Sequence, residues 1–269
     1  MPELPEVETI VRELHSKILG EVFTSVELIW SGSFVADKSL SVINNSIIKI
    51  SRKGKFILFH LKQGYLITHL RMTGQLIVRD SPPENLQHLR LIFHFISGKR
   101  LLFYDLRKFG RVHLTKHPAE VLKNTGIDAL DEDFTLAFFK EMLDGKRRKI
   151  KSFLLDQKNV AGLGNIYIDE SLFRAKIHPE TLFTDLSQYK IRQLYQSIRK
   201  ILHEAISRMG TTISDYKTTG GGFGENQNYL CVYGRKDQPC YACGKPIVRL
   251  KLAGRGTHFC PKCQAKSEK

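Results

Sequence analysis

Tryptophan occurs once in this 269-residue chain and cysteine only five times. No apolar run approaches the roughly 18 residues that a membrane-spanning helix needs, which excludes such a span. The first twenty residues have neither a basic start nor an apolar stretch, so no secretory signal is expected and the cytosol is the expected compartment. Four of the five cysteines fall in two close pairs, a pattern of metal binding in a cytosolic chain and not of a disulfide-stapled scaffold. There is no internal repeat and no long low-complexity tract.

Acidic residues are also short. Against 27 Asp and Glu stand 42 Lys and Arg, a formal charge of +15. Such an excess favours a polyanionic partner, whether DNA, RNA or an anionic membrane surface, and a nucleic acid is the first expectation. Hydrophobic residues make up 42%, a globular composition that allows a sizeable core in one large domain or two ordinary ones.

Residues 3–19 predict a helix, with Val7, Ile10, Val11, Leu14 and Ile18 at helical spacing. Pro2 and Pro5 suit its start, Glu3, Glu6 and Glu8 suit the positive end of its dipole, and Gly20 suits its stop. Strand-like runs follow over 22–30, 47–61, 65–78, 89–95, 100–106 and 110–114, punctuated by Gly64, Gly74, Pro82-Pro83 and Ser97-Gly98. Many short strands joined by turns point to a β-sandwich or a barrel over residues 1–115. A linker is expected over 116–133. Helical patterns then cover 134–144, 151–157, 165–175 and 187–209, and residues 217–228 form a Gly-rich polar loop.

The domain from 229 to 269 carries Cys240-x2-Cys243 and Cys260-x2-Cys263. Two such knuckles supply four thiolates to one tetrahedral Zn²⁺. With four protein ligands the metal has no open position, so its expected part is structural. Cys231 is left over as a small, partly buried thiol. Arg249 and Lys251 alternate with Val248, Leu250 and Leu252, a strand with one charged face that suits a phosphate backbone.

Pro2 follows Met1 and is small enough to permit removal of the initiator. The exposed secondary amine would titrate near pH 8, well below a lysine side chain, so more of it is neutral and nucleophilic. Such an amine can attack a sugar C1′ and form an iminium, and the neighbouring Glu3 can protonate the departing group. By themselves these residues more readily describe a helix start with acids in its first turn.

The opening Met1-Pro2-Glu3-Leu4-Pro5-Glu6-Val7-Glu8-Thr9 resembles that of the bacterial formamidopyrimidine-DNA glycosylases. The likeness continues through Arg52–Phe56, His69–Gly74, Asp105–Gly110, Ala161–Tyr167, Val232–Arg235 and Gly254–Cys260. It implies an α+β multidomain fold: an N-terminal β-sandwich with a leading helix, a helical domain with a helix–two-turn–helix over 134–228, and a C-terminal β-hairpin zinc finger.

The resemblance also implies roles. Pro2 matches the Schiff-base nucleophile and Glu3 the general acid. Lys55 matches a proton donor in β-elimination, and Arg255 an arginine linked to δ-elimination. His88, Arg107, Lys146 and Asn165 match DNA contacts. Met72, Arg107 and Phe109 match the residues that fill the space left by an extruded base, which must leave the stack before chemistry can reach it. Residues 217–225 occupy the place of a loop that caps the lesion. Two positions depart from the family pattern: Arg90 stands where a second histidine is common, and Cys231 where glutamine is common.

The expected activity is excision of oxidised purines from duplex DNA followed by β,δ-elimination. The expected cofactor is one structural Zn²⁺, and the expected partner is double-stranded DNA bearing oxidised bases or abasic sites. No membrane partner is expected, and the resemblance implies a monomer at the bacterial nucleoid. Two other readings stand beside this one: an endonuclease VIII-like enzyme for oxidised pyrimidines, against which Leu4 argues because that branch carries glycine there, and a non-catalytic zinc protein that binds DNA.

Overall fold

The computed structural model describes residues 1–83, 85–145 and 147–266. The chain divides into two compact units, Met1–Asn124 with Ile206–Gln227, and Thr125–Ala205 with Asn228–Lys269. The expected helical domain 134–228 is thus cut: its last stretch packs within the first unit. Tyr216 is buried in the first unit's core, and Thr211 and Thr219 hydrogen-bond to its leading helix.

In the first unit, α1 (Leu4–Ile18) precedes strands β1 (Phe23–Leu28), β2 (Phe34–Ala36), β3 (Ile47–Lys53), β4 (Phe56–Leu61), β5 (Tyr65–His69), β6 (Gly74–Arg79), β7 (Leu89–Phe95), β8 (Arg100–Asp105) and β9 (Arg111–Thr115), then the short α2 (Pro118–Leu122). The strands make a four-stranded sheet, β1-β7-β8-β6, and a five-stranded sheet, β2-β9-β5-β4-β3. Their inner faces share one core: Phe23, Phe93 and Phe103 come from the first sheet, Phe59, Leu66 and Val112 from the second, and Val7, Ile10 and Leu14 from α1. This is a sandwich and not a closed barrel. Each fully buried Phe stabilises it by about 2–3 kcal/mol. The period of two turns Ile77, Ile92 and Leu102 to the opposite face, where Leu89, shifted by the bulge between Leu89 and Leu91, joins them and Tyr104 in a second apolar cluster.

Two predicted strand runs split. Residues 47–61 fold back as the β3–β4 hairpin, turning at Gly54-Lys55. Residues 65–78 break at Leu70–Thr73, and the halves join different sheets. Gly74 makes the break possible: a Cβ there would lie 2.4 Å from the carbonyl oxygen of Leu70.

The second unit holds β10 (Ile127–Asp128) paired in parallel with β11 (Val160–Ala161), helices α3 (Leu136–Leu143), α4 (Ile150–Leu155), α5 (Asn165–Arg174) and α6 (Gln188–Ser207), and the hairpin β12 (Val248–Leu252) and β13 (Arg255–Phe259). Thr135 caps α3 by accepting from the Phe138 N–H, and Phe134 packs edge-on against Phe139 and at a tilt against Tyr195. α5 holds the zinc module in place. Asp169 accepts from the Lys151 ammonium at 2.5 Å and from the His258 N–H at 2.8 Å, and the Lys151 and Asp169 side chains are fully buried. Glu170 accepts the backbone N–H groups of Cys231, Val232 and Tyr233. Burial pushes the Glu170 carboxyl up despite those three bonds.

A buried charge that loses its partner is costly. Asp169→Ala is expected to lower the unfolding free energy by about 3–5 kcal/mol in urea denaturation. Lys151→Met combined with Asp169→Asn, which keeps an acceptor for His258, is expected to recover most of the loss.

Candidate active site

Pro2 and Glu3 are both buried at the start of α1. Glu3 is the N-cap, and its side chain and that of Glu6 each accept the other residue's backbone N–H, with Glu3 N–H to Glu6 Oε2 at 2.7 Å. The second oxygen of Glu6 accepts from the Thr211 N–H at 2.7 Å. Glu6 is 1% exposed, and the sequence reading gave it only a place near the helix dipole. The spacing Glu3-x-x-Glu6, that of a capping box, was the signal available for it. Met1 is 44% exposed ahead of Pro2, accessible to the removal that would free the proline nitrogen.

Lys55 sits in the β3–β4 turn and is 6% exposed, not at the surface as its strand-like sequence context suggests. The turn is tied to α1. The Arg52 guanidinium donates to Glu8 Oε2 at 3.0 Å and to the Gly54 carbonyl at 3.0 Å. Burial pushes Glu8 up, but hydrogen bonds from Arg12 and Arg52 outweigh it and hold the carboxyl below its usual range. Nearby, His69 Nδ1 accepts from the Arg71 N–H at 2.9 Å. Burial, then the positive charges of Arg71 and Lys55, push His69 down to about 3, so it stays neutral and donates no proton from Nδ1.

Met72 and the Arg107–Phe109 segment lie on loops that one carboxylate joins. Asp105, 1% exposed, accepts from Thr73 Oγ1 at 2.5 Å, from the Arg107 N–H at 3.2 Å and from the Gly110 N–H at 2.7 Å. Thr73 Oγ1 in turn accepts from the Arg107 N–H at 3.0 Å. The Arg107 guanidinium lies 4.9 Å from the centre of the Phe109 ring, and Phe109 is half exposed. Met72 is half-buried. His88, half-buried and left-handed at φ 65°, accepts through its carbonyl from the Asp105 N–H. Arg90 turns back to the Asp105 carbonyl at 2.9 Å, so this departure from the family pattern braces the same loop. Lys146 lies outside the described residues.

In the second unit, Asn165 opens α5 and donates its side-chain N–H to the Gly256 carbonyl at 2.8 Å, while its Oδ1 is buried without a partner. The side chain that the resemblance gives to a DNA contact is thus engaged with the zinc hairpin. Arg255, next to Gly256, is exposed at the start of β13. The two-residue turn Ala253-Gly254 has positive φ at both positions, 49° and 72°, as tight hairpins of this hand require. Cys231 is half-buried, and burial pushes its thiol up.

The ligand atoms of Cys240, Cys243, Cys260 and Cys263 all lie within 4.8 Å of one another, with two S···S distances of 3.4 and 3.9 Å. Thiolates about 2.3 Å from a tetrahedral zinc stand about 3.8 Å apart, so the set fits one structural ion. No helix among the described residues is long and apolar enough to cross a membrane.

Chelation is expected to release one zinc per chain and to unfold the β12–β13 hairpin, read by metal analysis and hydrogen exchange over 237–266. His69 gives a pH dependence. Its folded value lies below the ordinary 6.5, so the unfolded chain takes the proton first and stability falls as the pH drops below about 6.5. The loss is at most about 1.4 kcal/mol per pH unit, and His69→Gln is expected to flatten the slope between about pH 6.5 and 5 in urea titrations.

The match to known proteins covers the whole chain. Residues 1–112 match the formamidopyrimidine-DNA glycosylase N-terminal domain, residues 125–217 its H2TH domain, and residues 237–266 a zinc finger found in FPG and IleRS. Formamidopyrimidine-DNA glycosylase of Bacillus subtilis is 41% identical over 99% of this chain and 100% of its own. A Lactococcus lactis FPG mutant solved with Fapy-dG-containing DNA is 40% identical with a TM-score of 0.89, over 98% of this chain and 100% of that one. The Lactococcus lactis Fpg solved with abasic-site DNA is 39% identical with a TM-score of 0.88, over the same shares. With its fold, its buried Pro2-Glu3 start and its four-cysteine cluster, the chain belongs to the formamidopyrimidine-DNA glycosylase family.

Proposed function

We propose that this chain excises oxidised purines, such as 8-oxoguanine and formamidopyrimidines, from duplex DNA and then cleaves the strand at the resulting abasic site, a base excision repair activity. The observation that carries this reading is the pair of loops joined by Asp105. One carries Met72, and the other carries Arg107 beside the half-exposed Phe109. An apolar wedge beside a guanidinium suits an enzyme that empties a base stack: Met72 and Phe109 fill the gap, and Arg107 hydrogen-bonds the orphaned base.

The chemistry starts at Pro2. With Met1 removed, its neutral amine forms a bond to C1′ as the glycosidic bond breaks, and Glu3 supplies a proton as the base leaves. The iminium withdraws electrons from the sugar, so the C2′ proton is lost and the 3′ phosphate departs. A second elimination then releases the 5′ phosphate. Lys55 and Arg255 carry protons in these two steps. The amine is the electron sink, so the sequence needs no redox cofactor. His88, Lys146 and Asn165 are the proposed DNA contacts, polar side chains of the kind that position a protein on a phosphate backbone. Zinc, when bound, holds the hairpin that carries Arg255. We place the protein in the bacterial cytoplasm, on the nucleoid, acting as a monomer.

Borohydride reduction of the protein with 8-oxoguanine DNA, followed by mass spectrometry, is expected to find DNA linked to Pro2. Absence of the adduct in active, Met1-free protein overturns the mechanism. Faster excision of thymine glycol than of 8-oxoguanine would move the chain to the oxidised-pyrimidine reading. Absence of nicking at abasic sites would leave only DNA binding.

A further inference from the structure

Helix α1 does more than present Pro2. Along one of its faces, Glu6, Glu13 and Lys17 stand seven and four residues apart, which brings them into one row. All three hold the segment that leads into the Gly-rich loop. Glu6 takes the Thr211 N–H at 2.7 Å. Glu13 Oε2 accepts both the N–H and the hydroxyl of Thr219 at 2.6 Å, and the Lys17 ammonium donates to the same hydroxyl at 2.8 Å. The Thr219 carbonyl accepts from the Val78 N–H of β6 at 3.0 Å. Thr219 is fully buried, whereas Phe223, four residues on, is 60% exposed.

With four glycines among them, residues 217–225 predict little order before DNA binds. The structure divides them. Thr218-Thr219 is fastened, with the Thr218 N–H and Oγ1 closing a small turn with Gly222. Gly220 to Phe223 project beyond it. Lys217 and Gly221 line a cavity of about 370 Å³, together with Thr73, Gln75 and Tyr104. Thr73 is the residue that joins the Met72 loop to Asp105. The fastened root therefore fixes where the projecting residues stand relative to the helix that begins at Pro2 and to the loop that carries Met72.

We infer that Glu13 and Lys17 are positioning residues for base release: through Thr219 they hold the capping loop in register with Pro2. This rests on the reading that residues 217–225 close over the extruded base. Neither residue touches DNA in this role. Base release needs the loop, because the departing base must be held outside the stack while C1′ is attacked. Cleavage at a pre-formed abasic site has no base to hold. The two half-reactions should therefore separate.

The test measures single-turnover base release from 8-oxoguanine duplex DNA and strand cleavage of the same duplex carrying an abasic site. For Glu13→Ala, base release is expected to fall roughly tenfold, the size of a lost charge-assisted hydrogen bond, while abasic cleavage changes by less than about twofold. Glu13→Gln, whose amide oxygen still accepts from Thr219, is expected to retain most of the rate. Thr219→Val and Lys17→Met, which remove only the hydroxyl or only the ammonium, are expected to shift the ratio in the same direction by less, and they carry the test if Glu13→Ala does not fold. Equal loss in both half-reactions, or loss in neither, overturns the inference. A wild-type protein that releases no base and forms no Pro2 adduct would instead overturn the underlying reading of the chain.

Discussion

The carboxylate of Glu6 is the contact on which the geometry of the first unit's proposed site depends. It is buried, and a buried carboxylate is tolerated only when its oxygens are satisfied. One oxygen takes the Glu3 N–H and the other takes the Thr211 N–H. The first bond fixes the backbone that follows Pro2. The second fixes the start of the segment leading to the capping loop. A single side chain thus sets the proposed nucleophile and the proposed lid from one point, and Glu13 and Lys17 repeat the hold further along the same helix.

Asp105 does the corresponding work for the DNA-facing loops. Its oxygens are shared among Thr73, Arg107 and Gly110, while its backbone meets His88 and Arg90. The residues proposed to fill the stack are held by hydrogen bonds at their roots, and Phe109 extends outward. In the second unit Asp169 and Glu170 follow the same rule. Adjacent buried acids on α5 take N–H groups from His258 and from Cys231, Val232 and Tyr233, so the zinc module is mounted on a helix as well as on its metal. In each case a buried acid accepts several donors at once, which offsets part of its desolvation and orders a loop with no periodicity of its own.

Much of this was legible beforehand. Periodicity located α1 and α6 within two residues, because their apolar stripes have a period that few other structures share. The two Cys-x2-Cys pairs announced the metal cluster. The breaks at 54–55 and 70–73 were harder, because an uninterrupted β-rich run looks the same whether it is one strand or two. Lys55 was harder still. Its neighbours describe an ordinary strand, and its burial comes from a hairpin turn tied to α1 through Arg52 and Glu8.

From its residues alone the chain established a basic, globular, metal-binding protein with an amphipathic first helix and a Pro-Glu start suited to amine chemistry. The family motifs along it named the roles. The tertiary structure decided which polar groups meet: Glu6 with Thr211, Glu13 and Lys17 with Thr219, Thr73 with Asp105, Asp169 with His258. The physical reason is range. Helix and strand periods are local and repeat, so they leave a trace in the order of residues. A hydrogen bond between residues 205 or 206 positions apart leaves none until the fold brings its donor to its acceptor.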